Sequence, residues 1–184
     1  MDARGVDRAT ALVCGPPTVL TEQLVLALAD GGYDVHTSAA RSGDRHDRDG
    51  TAEETALVAA VAGHARPLGF AVVDLTDGAT RARTLEAVVA VMNGGPPARL
   101  VLVVDGRRSA RRPRLGAEPH VEVTRLVRHR LRPADRDPDV ARRLARDVVG
   151  SPRARVVHEP RRAGRVAALA HPVARRSVVG RWSW

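Results

Sequence analysis

Residues 10–25 read TALVCGPPTVLTEQLV, and the prediction of the fold class starts from this segment. A short apolar run, residues 10–13, ends at one glycine and two prolines, and apolar residues then recur at helical spacing from Leu24 to Ala29. A short apolar run bounded by glycine and proline is typical of a strand, whereas the later spacing is typical of a helix. The stretch therefore predicts a strand, a tight turn and a helix.

The chain repeats this alternation as far as Val104. Glycines 31 and 32 end the first helix, and Thr51 is a plausible cap for the next one. Because buried parallel strands are continuously apolar and alternate with helices, the order predicts a parallel sheet with helices on both faces. The further predicted strands are 34–38, 70–75 and 100–104, and the further predicted helices are 52–64 and 84–92.

The pattern is less regular after Asp105. We expect two basic amphipathic helices, Val121–Leu131 and Asp139–Val149, and a fifth strand over residues 155–158. The prediction is one α/β domain over residues 1–160, with a solvated loop at 41–50 and an Arg-rich loop at 107–118. Residues 161–184 form a basic tail of unassigned structure.

Charge is distributed unevenly along the chain. All 30 basic residues are arginines, and 22 of them lie in residues 98–184, which hold only 8 of the 21 acidic residues. This basic half could bind nucleic acid through phosphate contacts, but its only aromatic residues are Trp182 and Trp184 and it has no recognisable nucleic-acid-binding motif. Arginines on solvated faces, favoured by a GC-rich genome, explain the same composition.

Composition also limits the compartment and the metal chemistry. No apolar run approaches the ~20 residues of a membrane span, so we expect no membrane contact and a cytoplasmic protein. The single cysteine, Cys14, cannot form an internal disulfide, and no zinc-ligand spacing accompanies it. We therefore expect a small buried hydrophobic residue at this position and no bound metal.

The segment 13–25 resembles the first β-α unit of the short-chain dehydrogenase/reductase superfamily, especially its epimerase-like members. Residues 31–35 are similar to the helix end and second-strand start of that family, and residues 70–77 and 84–106 to its next two strands. The resemblance covers residues 9–106 and implies a Rossmann-like parallel sheet flanked by helices, with NAD(P) as the cofactor. The cofactor-binding residues that it implies are Gly15, Thr18, Leu20, Arg41 and Asp74.

The turn departs from the family pattern in ways that weaken cofactor binding. Pro16 and Pro17 lack the N–H that could bond to phosphate, and two threonines add bulk where a close approach is needed. Arg41 could meet a 2′-phosphate, or it could simply be solvated. No cofactor is therefore assigned, although NAD(P) is possible.

The catalytic residues of the family are also missing. The resemblance calls for a tyrosine followed four residues later by a lysine, but the chain has no lysine, and its only tyrosine is Tyr33. Since arginine cannot replace a tunable ammonium group, the usual hydride transfer is excluded by composition. We therefore expect a non-catalytic or auxiliary subunit in a biosynthetic pathway, forming a homodimer or a heteromer with a related protein.

Two other functions remain open. An unorthodox enzyme could use the crevice at the strand ends around Gly15, Asp74 and Asp105. A regulator could use the basic half, or Asp74 and Asp77 as in a degenerate receiver domain. An apolar stripe at residues 85, 88, 89 and 92 is either core or dimer face, with core favoured, and the same alternatives apply to residues 126, 127 and 131.

Overall fold

The structure, a computed structural model, describes residues 8–38, 50–63, 66–76, 82–106, 116, 118–129, 132–150 and 156–159. Within these ranges the strands are β1 (Thr10–Cys14), β2 (Asp34–Thr37), β3 (Leu68–Asp74), β4 (Ala98–Asp105), β5 (Val121–Arg128) and β6 (Val156–His158). The helices are α1 (Val19–Asp30), α2 (Gly50–Ala62), α3 (Ala82–Asn93) and α4 (Pro138–Gly150), and a short 3-10 turn covers Pro133–Asp135.

The strands form one parallel sheet in the order β2-β1-β3-β4-β5-β6. The predicted α/β class, with a Rossmann-like parallel sheet flanked by helices, is confirmed. The order itself follows the second common doubly wound arrangement, in which β3 lies beside β1 on the side opposite to β2. The chain therefore reverses its direction across the sheet between β1 and β3.

Two apolar cores lie on the two faces of the sheet. On one face, alternate residues of the strands pack under α1 and α4, and Leu24, Leu126 and Leu144 are among the residues buried there. On the other face α2 and α3 cover the remaining strand residues. The stripe predicted on α3 belongs to this second core, and its residues Leu85, Val88, Val89 and Met92 are buried.

The position of α4 gives one connection an unusual hand. The chain crosses the sheet in the same direction from β3 to β4 as from β5 to β6, yet α3 and α4 pack on opposite faces. The β5–α4–β6 connection therefore has the opposite hand to β3–α3–β4, although parallel crossovers nearly always share one hand. As a result α4 lies beside α1.

The prediction of a basic helix over Val121–Leu131 was wrong, because residues 121–128 form strand β5. Arginines and glutamate at three-residue intervals suggested a helical period, but β-branched residues fill half of the segment. Backbone pairing with β4 along its whole length, and with β6, holds the segment extended. The second predicted helix is confirmed as α4, where Asp137 Oδ1 accepts hydrogen bonds from the backbone N–H of Asp139 and Val140 at 2.9 and 3.3 Å.

The strand predicted at residues 155–158 is confirmed as β6. Most of the two predicted loops, and the tail at residues 161–184, lie outside the described residues. None of the helices in the described ranges has the length and apolar character that a membrane span requires.

Candidate functional site at the strand ends

The strand order locates the candidate site. In doubly wound sheets, ligands bind beyond the carboxyl ends of the strands at the switch point, where the chain reverses its direction across the sheet. Here the switch point is the gap between β1 and β3. Gly15 follows β1 directly, and Asp74 is the last residue of β3. The topology therefore brings two of the residues implied by the family resemblance to this point.

Gly15 and Asp74 are packed against each other. A Cβ atom added to the buried Gly15 would lie 2.9 Å from Cβ of Asp74, which is closer than Cβ atoms approach in proteins. The contact involves an atom attached to the backbone, so neither side can move aside cheaply. The glycine is required by this close approach between β1 and β3, whether or not any ligand binds.

The turn before α1 satisfies its own polar groups. Thr18 is the N-cap, and its Oγ1 accepts a hydrogen bond from the backbone N–H of Thr21 at 3.2 Å. The hydroxyl of Thr21 donates to the carbonyl oxygen of Pro16 at 2.9 Å, and the two threonine hydroxyls are 3.0 Å apart. Phosphate groups bind at helix N-termini through free backbone N–H groups. Here a side chain takes one of those donors, and the prolines supply none.

The carboxylate of Asp74 is also engaged within its own turn. Asp74 is only 5% exposed, and its Oδ1 accepts hydrogen bonds from the backbone N–H and the hydroxyl of Thr76, at 2.8 and 2.6 Å. This arrangement holds the chain as it leaves β3. A buried carboxylate used in this way is poorly placed to accept a phosphoryl group. The second acid of the receiver hypothesis, Asp77, lies outside the described residues.

A buried glutamate beside the switch point was missed in the sequence. Glu54 of α2 is 5% exposed, and its carboxylate accepts hydrogen bonds from Thr84 Oγ1 at 2.9 Å and from Ser38 Oγ at 3.4 Å. The signal was available, because Glu54 shares helical spacing with the buried Val58 and Val61. The cluster ties together the end of β2, the first turns of α2 and the start of α3.

A second polar cluster lies at the same edge of the sheet, at the carboxyl end of β5. Arg128 ends β5, and its guanidinium donates to both carboxylate oxygens of Glu159, at 3.1 and 3.4 Å, and to Asp135 at 2.8 Å. The same carboxylate accepts the backbone N–H of His129 at 2.6 Å and of Ala134 at 2.9 Å. Both Arg128 and Glu159 are buried.

The charges in this cluster support one another. Burial by itself lowers the pKa of the Arg128 guanidinium, but the hydrogen bonds and negative charges of Glu159 and Asp135 outweigh it and raise the pKa above its usual value. Arg128 stays charged at any physiological pH. The cluster is a fixed ion pair network that joins β5, β6 and the 3-10 turn.

The two aspartates of the crevice hypothesis have different neighbours. Asp74 pairs in register with Val103 of β4, whereas Asp105 lies two residues further along and opposite Arg128 of β5. Asp74 is bonded to its own turn, and Asp105 lies beside the buried ion pair network. These observations do not favour a shared catalytic pocket for the two carboxylates.

The remaining predicted residues lie elsewhere. Leu20 is buried in the core under α1 and α4, which gives it a packing role. Arg41 lies outside the described residues. Cys14, predicted to be a small buried hydrophobic residue, is fully buried and packs in the core under α2 and α3.

Tyr33 lies at the opposite edge of the sheet, just before β2, with its ring edge-on to Phe70 at 5.7 Å. The guanidinium of Arg99 lies 5.5 Å from the Phe70 ring on the same face and donates to the carbonyl of Val149 at 3.1 Å, at the end of α4. Burial lowers the pKa of Arg99, and Glu122 and Tyr33 partly oppose this effect. The only tyrosine is therefore part of a packing cluster distant from the strand-end site.

Among the described residues, no group of three or more histidine, cysteine or acidic side chains is arranged to hold a metal ion. Comparisons with models of known protein families, with curated proteins and with solved structures gave no match for this chain.

Proposed function

We propose that this chain is a non-catalytic, dehydrogenase-like protein that acts by association, with itself or with a related active subunit. One observation carries the proposal: at the turn that would receive a dinucleotide, Thr18 accepts the backbone N–H of Thr21, the Thr21 hydroxyl bonds to the carbonyl of Pro16, and the prolines supply no N–H. Pyrophosphate binding needs open backbone donors at this turn. The chain has the fold, but Thr18 and Thr21 at this turn form hydrogen bonds with each other and with the protein's own backbone.

The location of Tyr33 supports the same proposal. Catalysis of the family type needs a tyrosine and a lysine near the strand ends, and the chain has no lysine. Its one tyrosine packs on Phe70 at the opposite edge of the sheet. A tyrosine held there cannot donate a proton to a substrate at the switch point, because proton transfer requires hydrogen-bond reach.

The test is calorimetric titration of the purified protein with NADH and NADPH, combined with light scattering on the same sample. We expect no binding heat for either dinucleotide and a mass above that of the monomer, 19.7 kDa. Dehydrogenases encoded by neighbouring genes would then be assayed alone and after addition of this protein. If the protein is an auxiliary subunit, its addition should raise their activity or their stability.

Two variants test whether any dinucleotide binding takes place at the turn before α1. Thr18→Ala removes the helix cap at the turn, whereas Glu86→Gln changes an exposed residue on α3. Micromolar dinucleotide binding that responds to the first change but not to the second would overturn the proposal. Turnover of a substrate with NAD(P)H by the purified chain would overturn it as well.

A further inference from the structure

A groove runs between α1 and α4 on the outer surface of the helical layer. It has a volume of about 480 Å³, and small residues such as Ala27, Gly31 and Gly150 lie along it. It exists because the β5–α4–β6 connection brings α4 to the face that α1 occupies. A groove with small residues along it admits a bulkier side chain from another surface.

Leu26 lines this groove and is exposed to solvent. With an exposed fraction of 55%, it is the most exposed large hydrophobic side chain in the described part of the chain. A single exposed leucine is ordinary on a protein surface. Here the exposed leucine lies beside a groove, so the same surface offers an apolar side chain and a space that a second such side chain could enter.

The charges around the groove are complementary across its two sides. The α1 side presents Asp30, and α1 carries no basic residue, whereas the α4 side presents Arg142 and Arg146. Arg142 already pairs with Asp139 at 3.2 Å. Asp30 and Arg146 form no ion pair with any residue that the structure describes. One acid and one base are therefore available on the same surface.

We propose that a second copy of this chain docks on this surface, α1 of one protomer against α4 of the other, in a two-fold dimer. In such a dimer each contact occurs twice, so Asp30 of each protomer meets Arg146 of the other. Leu26 of each protomer enters the partner's groove. This proposal rests on the proposed function, because it names the face through which the protein associates.

Sedimentation equilibrium over a wide concentration range measures the dimer Kd. Leu26→Asp removes the apolar anchor and buries a charge, so we expect the Kd to rise at least about 30-fold. Glu86→Arg, on the opposite helical layer, is the matched control and should leave the Kd unchanged. Circular dichroism and the urea midpoint establish that each variant folds.

Charge reversal gives a sharper test. Asp30→Arg alone and Arg146→Asp alone each place like charges across both contacts, so each variant should dimerise more weakly than the natural chain. An equimolar mixture of these two variants places opposite charges across both contacts. The mixture should therefore form a heterodimer, detected by native mass spectrometry, with an affinity close to that of the natural homodimer.

The outcomes separate this proposal from the proposed function. A dimer whose Kd none of these substitutions changes would overturn the α1–α4 face and leave association itself intact. A chain that stays monomeric at all concentrations, or a groove that captures only a different protein, would overturn self-docking. Dinucleotide binding or turnover would overturn the proposed function whatever the oligomeric state.

Discussion

Replacing Glu159 by glutamine should destabilise the protein strongly, although the two side chains have the same shape. Each carboxylate oxygen accepts two N–H groups: Oε1 from Ala134 and Arg128, and Oε2 from His129 and Arg128. A glutamine has only one such oxygen. Its amide nitrogen would point N–H groups at N–H donors, and the buried Arg128 would lose its closest fully buried counter-charge.

Removing one partner of a buried ion pair costs about 3–5 kcal/mol of unfolding free energy. With a urea m-value of about 2 kcal/mol/M, a loss of about 3 kcal/mol lowers the urea midpoint by about 1.5 M. The same loss lowers Tm by roughly 6–12 °C for a chain of this size. The assay is urea unfolding followed by circular dichroism at neutral pH, with Glu86→Gln as the matched control.

The control residue lies exposed on α3, so its substitution should change stability by no more than about 0.5 kcal/mol. A Glu159→Gln urea midpoint equal to that of Glu86→Gln would contradict the predicted loss of stability, since it would mean that Arg128 and the two backbone N–H groups find other partners. A loss of stability that is smaller in the double variant Arg128→Met/Glu159→Gln than in Glu159→Gln would support the charge argument specifically, because the double variant leaves no uncompensated cation.

Three further substitutions or probes test the packing. Gly15→Ala places a Cβ 2.9 Å from that of Asp74 and should lower the free energy of unfolding in urea by about 1–3 kcal/mol. The control Gly63→Ala, whose added Cβ has no atom nearer than 3.5 Å, should cause no such loss, and equal urea midpoints for the two variants would contradict the close approach. The fully buried Cys14 thiol should react with Ellman's reagent only in urea, and rapid reaction of the native protein would place it at the surface. Leu126→Ala should cost about 2–5 kcal/mol, because Leu126 is fully buried under α1 and α4, and a loss below about 1 kcal/mol would refute that packing.

The first half of the fold could be predicted because its signals are local. Short apolar runs bounded by Gly15 and Gly31 identify the strand and helix boundaries, and the caps at Thr18 and Asp137 involve residues two or three positions away. Patterns of this kind depend only on neighbouring residues. They gave the α/β class and the helices α1 to α4, but they carry no information on which strands lie side by side.

Strand β5 could not be predicted because its charges find partners far along the chain. Arg128 resembles a residue on a basic helix until Glu159, 31 positions later, is known to lie beside it. Arg99 is buried at the start of β4, where Phe70 and the carbonyl of Val149 surround its guanidinium. Burial of arginine in a strand therefore depends on tertiary pairing, which a single sequence does not encode locally.

The binding role of the candidate residues stays a prediction, but the position of some of them follows from the strand order. Gly15 and Asp74 are packed against each other at the switch point, and Thr18 caps the helix that follows Gly15, since the carboxyl ends of parallel strands share one edge. What the sequence could not supply was the use of their polar atoms. Leu20 faces the core, and the bonds from Thr18 to Thr21 and from Thr76 to Asp74 serve the backbone.

The strand-end edge and the α1–α4 groove differ in how their polar groups are satisfied, and this difference bears on function. Binding sites commonly keep polar groups that the protein itself leaves unsatisfied, and these groups lower stability until a ligand arrives. At the strand ends, the carboxylates of Glu54, Asp74 and Glu159 all accept hydrogen bonds from the protein itself, and the one buried oxygen without a hydrogen bond among the described residues there is Oδ1 of Asp135. In the groove, Asp30 and Arg146 lie near an exposed leucine and pair with no described residue. The groove is therefore a described surface on which exposed, unpaired charges of both signs lie beside an exposed apolar side chain, and the charge-reversal mixture tests whether a second copy of the chain covers them.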